Sequence, residues 1–264
     1  MKAMIFAAGL GTRLKPLTDT MPKALVPLAG KPLLEWQVEK LRKAGITDII
    51  VNVHHFPDMI IDTIRQNEGW GAHITISDER DELLDTGGGL RKIHNSQFTI
   101  HNEPLLACNV DILSNIDLKA LIEEYDKLSS QGRDGERVSG LLVVSERATQ
   151  RYLCFDEQGM LQGWTNKATG EVKPASLRLD GLRQLAFSGM QVLSPEVLRR
   201  LEEMPQTKFS LIDFYLHLVE TNQQSSPVHR TPLMAYVPSN YRMMDVGKID
   251  QIEEAEKFAQ RVAR

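Results

Sequence analysis

Short apolar runs and longer amphipathic stretches follow one another in a regular rhythm through the first half of the chain. Lys2 to Ala8 is apolar and breaks at Gly9-Leu10-Gly11, which predicts a buried strand and a tight turn. Pro32 to Ala44 carries Leu34, Val38 and Leu41 at helical spacing and stops at Gly45, which predicts a helix with Pro at its start and Gly at its end. The same reasoning predicts a strand over Ile49 to Val53, a helix over Asp58 to Asn67, a strand over His73 to Ser77, a helix over Gly89 to Asn95 and a strand over Pro104 to Asn109. Asp117 is placed to cap a further helix running to Leu128.

Strands alternating with helices build a parallel sheet covered on both faces. Such sheets bind ligands beyond the carboxyl ends of their strands. Gly9 to Arg13 and the residues after Asn109 both fall on that rim.

Beyond residue 130 the rhythm changes. A polar loop is expected over Gln131 to Gly135 and a strand over Val138 to Val144. Tyr152 to Phe155 and Met160 to Trp164 flank a Gly-containing turn, a hairpin pattern. Asn166 to Asp180 is polar and reads as loop. Leu185 to Leu193 predicts a strand, and Ser194-Pro195-Glu196 opens a helix with Ser as cap and Pro in its first turn. Phe209 to Val219 and Ile249 to Val262 predict two more helices. No repeat, low-complexity tract or linker interrupts the chain. The expectation is a single domain over 1–264, with a mostly parallel, Rossmann-like α/β half over 1–130 and a mixed-sheet half over 131–264.

Composition narrows the function. Thirty-one Lys and Arg against thirty-five Asp and Glu leave a net charge of −4, which disfavours a nucleic-acid polymer as partner. No apolar run reaches the ~20 residues of a membrane span, and the N-terminal run is too short for a signal peptide. Cys108 and Cys154 are the only cysteines, too few for a disulfide framework, so a reducing cytoplasm is the expected location. His54 and His55 are adjacent and point to opposite faces of an extended chain, so they do not make a metal pair.

The chemistry is concentrated in Gly9-Leu10-Gly11-Thr12-Arg13-Leu14-Lys15-Pro16-Leu17-Thr18 and Met21-Pro22-Lys23-Ala24-Leu25-Val26-Pro27-Leu28. Glycines after a strand let backbone amides face an anion, and Arg13 and Lys23 add cationic donors. Taken alone, these residues also fit an ordinary turn with solvated cations. Leu14 stands where the dinucleotide fingerprint needs its third glycine, and no GxxxxGK[ST] loop occurs. Asp111 and Asp245 are carboxylates of the kind Mg²⁺ takes alongside phosphate oxygens, and each alone fits a turn equally well.

The ordered string GxGTRLxPLT…PKALVPL resembles the signature of sugar-1-phosphate nucleotidylyltransferases. Asp85-Thr86-Gly87-Gly88-Gly89 is similar to the form found in the small uridylyltransferases acting on N-acetylmuramate 1-phosphate and in some mannose-1-phosphate guanylyltransferases. The resemblance implies a nucleotide-diphospho-sugar transferase fold. It implies that Ala8, Gly9, Gly11, Thr12 and Arg13 hold a nucleoside triphosphate, with Arg13 on the leaving pyrophosphate and Lys23 on the α-phosphate. It implies Gly87 and Gly88 against the base, and Asp111 and Asp245 on Mg²⁺. On the sugar side it implies Asn109, Ser188 and Gly189, and Asn166 and Lys167 where relatives carry Glu-Lys. Val110 before Asp111 and Asn166 for Glu depart from the usual pattern.

The implied reaction is transfer of a nucleoside monophosphate to a sugar 1-phosphate. Uridylyl transfer to N-acetylmuramate 1-phosphate leads; guanylyl transfer to mannose or heptose 1-phosphate follows. Cytidylyl transfer to phosphocholine lacks the aromatic cage its cation needs. A silent nucleotide-sugar sensor is the alternative from another class, and the intact Arg13, Lys23, Asp111 and Asp245 weigh against it.

Overall fold

The computed structural model describes residues 1–95, 102–131, 137–224 and 230–262. Strand β1 (Lys2–Phe6) lies at its centre, with alternate side chains serving opposite faces. Ala3 and Ile5 enter one apolar cluster, Met4 and Phe6 the other, as the pleat of a doubly covered strand requires. A loop and the small ribbon β2 (Pro27–Leu28) with β3 (Lys31–Pro32) lead into α1 (Leu33–Lys43). There follow β4 (Asp48–Val53), α2 (Pro57–Gln66), β5 (His73–Asp78), α3 (Asp85–Asn95), β6 (Leu105–Asn109), β7 (Ile112–Ser114) and α4 (Leu118–Gln131). The second half supplies β8 (Gly140–Ser145), β9 (Arg151–Phe155), β10 (Leu161–Asn166), β11 (Glu171–Lys173), β12 (Arg183–Leu193), α5 (Pro195–Arg199), α6 (Leu211–Gln224), β13 (Leu233–Tyr236), β14 (Met243–Asp245) and α7 (Ile252–Val262).

The main sheet runs β11-β10-β9-β12-β6-β1-β4-β5, with β8 also on β12 and β13 on β8. β6, β1, β4 and β5 are mutually parallel. β12 joins the halves, antiparallel to β6, β8 and β9. This is the α/β architecture expected, with a parallel core and a mixed second half. Helices α1, α2, α4 and α7 pack on one face and α3, α5 and α6 on the other. Among the described residues no helix is long and apolar enough to cross a membrane. Cys108 and Cys154 are unpaired and buried.

Two capping expectations hold. Asp117 Oδ1 accepts from the amides of Lys119 (2.9 Å) and Ala120 (3.1 Å), and Ser194 Oγ accepts from Val197 (3.3 Å). Other expectations are corrected. The polar stretch Asn166 to Asp180 contains β11, which pairs with β10. Strands β7, β13 and β14 are too short and irregular to show a period. The last helix starts at Ile252, after a 3-10 turn at Ile249–Gln251. Of the loop expected over Gln131 to Gly135, Gln131 ends α4 and 132–135 lie outside the described residues.

Helix α3 begins at Asp85, one turn earlier than its apolar spacing shows. Three glycines make a poor first turn on propensity alone. Tertiary contacts compensate: Phe209 O accepts from the amides of Gly87 (2.9 Å) and Gly88 (3.2 Å), and Thr86 Oγ1 accepts from Leu211 N (3.0 Å).

Lys40 projects from α1 into the space beside β7, where its amine donates to Ser114 Oγ at 3.0 Å. Burial pushes it down from 10.5 to about 8. Between those pH values the unfolded chain holds a proton that the folded chain does not, so stability rises with pH; below about 8 the enclosed charge carries its full cost. Lys40→Met is therefore expected to stabilise the protein by about 1–3 kcal/mol at neutral pH. The gain should shrink as pH rises toward 10.5. Urea unfolding of both proteins across that pH range checks it, and a gain independent of pH would remove burial of the charge as the cause.

Candidate active site

The carboxyl ends of β1 and β6 open into a cleft of about 440 Å³. Phe6, Ala7 and the loop Gly9 to Arg13 form one wall, Leu83 and Thr86 a second, and Lys23, Asn109, Asp111 and Gly247 the floor. The cleft falls on the rim that the strand order marks for ligands.

Gly9 and Gly11 serve different ends. A side chain at Gly9 would meet nothing within 4 Å, so the backbone there faces open space. Gly11 has φ +65°, and a Cβ on it would lie 2.8 Å from Thr18 Cγ2 and 3.1 Å from Lys23 Cβ. Gly11 thus lets the loop fold back on itself. Thr18, buried, locks the fold by donating to Gly11 O at 2.9 Å. Among the described residues the amides of Ala8 to Thr12 donate to no protein acceptor. A run of free amides around an open cleft is a nest for an anion.

Lys23 is buried, and its ammonium donates to Asp111 Oδ2. Asp111 directly precedes β7, and Ile112, the next residue, is the register partner of Asp245 on β14. Val246 N donates to Asp111 O at 2.9 Å, and the buried Gln37 donates to Ile112 O at 2.7 Å. This ribbon brings two acids 134 positions apart in sequence together beside the cleft. Arg13 Nη2 lies 3.7 Å from Asp245 Oδ2. A Cβ on Gly247 would meet both Asp245 Oδ1 (2.9 Å) and Arg13 Nη2 (3.0 Å).

Partial burial raises the Asp245 carboxyl above its ordinary value. The neighbouring Asp111 charge adds to the rise, and Lys23, Arg13 and Arg147 offset it. Two carboxylates close enough for the charge of Asp111 to raise Asp245 suit a hard divalent cation, which would relieve that repulsion. Among the described residues no group of three or more His, Cys, Asp or Glu gathers as a metal site. The two acids therefore fit a cation that completes its shell from a ligand and water.

Of the residues expected to meet the sugar, Gly189 occupies a break in the β12–β8 register with φ +66°. A Cβ there would lie 2.7 Å from Asn109 Nδ2 and 3.3 Å from Ile112 Cγ1. The glycine thus lets β12 approach the end of β6. Ser188 is fully buried beside it. Asn166 and Lys167 are not brought to the cleft lining. Asn166 caps its own turn, accepting from Ala168 N (3.0 Å), and the exposed Lys167 holds its ammonium 4.5 Å above the Tyr152 ring.

Gly87 and Gly88, the residues expected against the base, are packed against the chain itself. Their amides are bonded to Phe209, and Cβ atoms on them would strike the Phe209 ring (2.4 Å) and Thr207 O (2.5 Å). Leu83 and Thr86, on either side of the start of α3, line the cleft. His54 and His55 hold the rim: Nδ1 of His54 is 2.7 Å from Glu79 O, and Nε2 of His55 is 3.2 Å from Thr18 O.

Arg147 and Tyr241 went unmarked in the sequence. Arg147 donates to Phe187 O at 3.0 Å and bears electrostatically on both Asp245 and Tyr241. The Tyr241 hydroxyl lies by Ser188 and Ser114, and burial pushes it up. Neither stands in a periodic or glycine-marked segment, so no sequence signal singles them out.

The arrangement can be compared with known proteins. Residues 2–262 match the family model described as nucleotidyl transferase. The chain is 29% identical over 259 residues to the N-acetylmuramate alpha-1-phosphate uridylyltransferase of Neisseria meningitidis, covering 98% of each. It is 31% identical over 223 residues to the enzyme of the same name from Caulobacter vibrioides, covering 82% of this chain and 83% of the relative. A mannose-1-phosphate guanyltransferase of Aspergillus fumigatus is 30% identical over 206 residues, 78% of this chain and 52% of the relative. The fold is shared with a putative glucose-1-phosphate thymidylyltransferase of Bacillus anthracis solved with sucrose. That similarity has a TM-score of 0.76 at 17% identity and covers 98% of this chain and 95% of the other. With its glycine loop, cationic pair and neighbouring acids on the rim of a parallel sheet, the chain belongs to the nucleotidyl transferase family, among relatives that are sugar-1-phosphate nucleotidyltransferases.

Proposed function

We propose that the chain transfers a nucleoside monophosphate from a nucleoside triphosphate to a sugar 1-phosphate. The leading pair is UTP with N-acetylmuramate 1-phosphate. The observation that carries the reading is the two ion contacts at the cleft, Lys23 with Asp111 and Arg13 with Asp245, beside free loop amides. Cations and amides there suit the triphosphate, and the acids suit a metal that travels with it.

An oxygen of the acceptor's phosphate attacks the α-phosphorus. A new P–O bond forms, the bond to the bridging oxygen breaks, and pyrophosphate leaves with the electron pair. The acceptor is already an anion, so no side-chain nucleophile or strong base is required. The protein's task is alignment and charge neutralisation. Arg13 and the amides of Ala8, Gly9, Gly11 and Thr12 orient the β- and γ-phosphates. Lys23 is directed at the α-phosphate, releasing Asp111 as it shifts. Asp111 and Asp245 would hold Mg²⁺, which neutralises phosphate charge when bound. Leu83 and Thr86 offer the base a wall, while Asn109, Ser188 and Gly189 shape the sugar side. Two unpaired cysteines and a triphosphate substrate suit the cytoplasm.

A second reading, guanylyl transfer to mannose or heptose 1-phosphate, is favoured by the guanyltransferase relative. Pyrophosphate release measured over a matrix of nucleoside triphosphates and sugar 1-phosphates separates the two. Turnover is expected with Mg²⁺ and UTP plus N-acetylmuramate 1-phosphate. Turnover only with GTP and mannose or heptose 1-phosphate replaces the leading pair. Tight nucleotide binding with no turnover on any pair means a sensor.

A further inference from the structure

A buried polar chain crosses the sheet behind the cleft and takes no part in the chemistry above. Asn52, at the carboxyl end of β4, and Glu79, just past β5, are each 2% exposed. Asn52 Oδ1 accepts from Ala7 N at 2.8 Å, and Asn52 Nδ2 donates to Glu79 Oε1 at 2.8 Å. Glu79 Oε2 in turn accepts from Leu84 N at 3.3 Å. One end of this chain holds the residue that opens the glycine loop. The other holds the segment carrying Leu83 and Thr86. Ala7, Leu83 and Thr86 line the cleft, whereas Asn52 and Glu79 do not.

Helix α3 is fitted to the pair. A Cβ on Gly89 would lie 2.7 Å from Glu79 Oε1 and 3.2 Å from Asn52 Nδ2, so only glycine leaves them undisturbed. A carboxylate this deep is costly when no salt bridge compensates it; among the described residues Glu79 makes none. Hydrophobic residues of the same size would serve stability better. What they cannot supply is a directional link between two specific amides on opposite walls.

We propose that Asn52 and Glu79 are positioning residues for the nucleoside triphosphate, setting the distance between the phosphate loop and the wall that receives the base. This rests on the cleft being the triphosphate site. A ligand that spans both walls feels the link, and one that touches only the loop does not.

The test compares calorimetric binding of UTP, or of the triphosphate the matrix selects, with binding of inorganic tripolyphosphate. Glu79→Gln leaves one acceptor for two donors, and Asn52→Asp sets two carboxylates head to head. Each is expected to weaken nucleoside triphosphate binding about tenfold while tripolyphosphate changes less than about twofold. The double substitution restores every bond in mirrored form. The new carboxylate accepts from Ala7 and from the new amide, whose oxygen accepts from Leu84. It is expected to recover affinity to within about threefold of the original protein.

Gly89→Ala presses on the pair without removing a polar atom and should weaken the nucleoside triphosphate selectively too, which covers a single variant that fails to fold. Equal losses for both ligands, unchanged nucleotide affinity in folded single variants, or no recovery in the double overturns the proposal. An unsubstituted protein that binds tripolyphosphate but no nucleoside triphosphate overturns the cleft assignment itself, and this proposal with it.

Discussion

Asp111→Asn is expected to lower turnover by about two to four orders of magnitude while leaving the fold intact. The substitution preserves shape and one acceptor oxygen but removes a full charge. Asp245 would then face the metal alone, and Lys23 would lose the acid that now holds its ammonium. The fold should survive because the structural link at this position is the Asp111 carbonyl, which accepts from Val246, and the backbone is unchanged. The check is steady-state turnover across a wide range of Mg²⁺ concentration, with circular dichroism and a melting curve alongside. A ligand substitution shifts the metal requirement upward and partly recovers at high metal. Turnover that persists at low metal would remove Asp111 from the site.

Lys23→Ala is expected to reduce kcat by about two to three orders of magnitude, with a change in KM for the nucleoside triphosphate of less than about tenfold. Charge on the non-bridging oxygens of the α-phosphate grows as the new bond forms, so a fixed cation there stabilises the transition state more than the bound substrate. The burial of Lys23 strengthens that effect, because little water screens the ammonium. Arg13, 60% exposed at its side chain, is screened more and should act chiefly on binding. Single-turnover kinetics separate the two. A Lys23 variant that loses affinity and keeps its chemical rate would make Lys23 a binding residue.

Much of this site was legible in the chain because it is local. Gly9 to Lys23 is a continuous string whose glycines, cations and prolines carry their meaning at fixed offsets, and the structure folds it around Gly11 and Thr18 as one unit. The parallel half was legible for the same reason: Ile49 to Val53 or Leu34-Val38-Leu41 shows its period within a few residues. The short ribbon β7–β14 has no such signature. It exists because the packed fold between them brings Asp111 and Val246 together.

The glycines of α3 show the limit from the other side. Gly87-Gly88-Gly89 reads as a turn by propensity, yet Phe209 supplies the acceptor that makes the first helical turn stable. Two of them admit Phe209 and Thr207, and sequence spacing cannot name a neighbour more than a hundred residues away. Asn52 and Glu79 look like ordinary polar ends of strands until burial shows them facing each other.

By itself the sequence determined the order of strands and helices, the rim on which the cleft opens and the cationic glycine loop that walls it, since periodicity and glycine placement act over a few residues. Only the tertiary structure decided which distant groups meet around the cleft: Asp111 near Asp245, Gly189 with Asn109, Ala7 with Leu84 through Asn52 and Glu79. Those pairings are set by sheet register and helix packing, which depend on the whole chain collapsing at once.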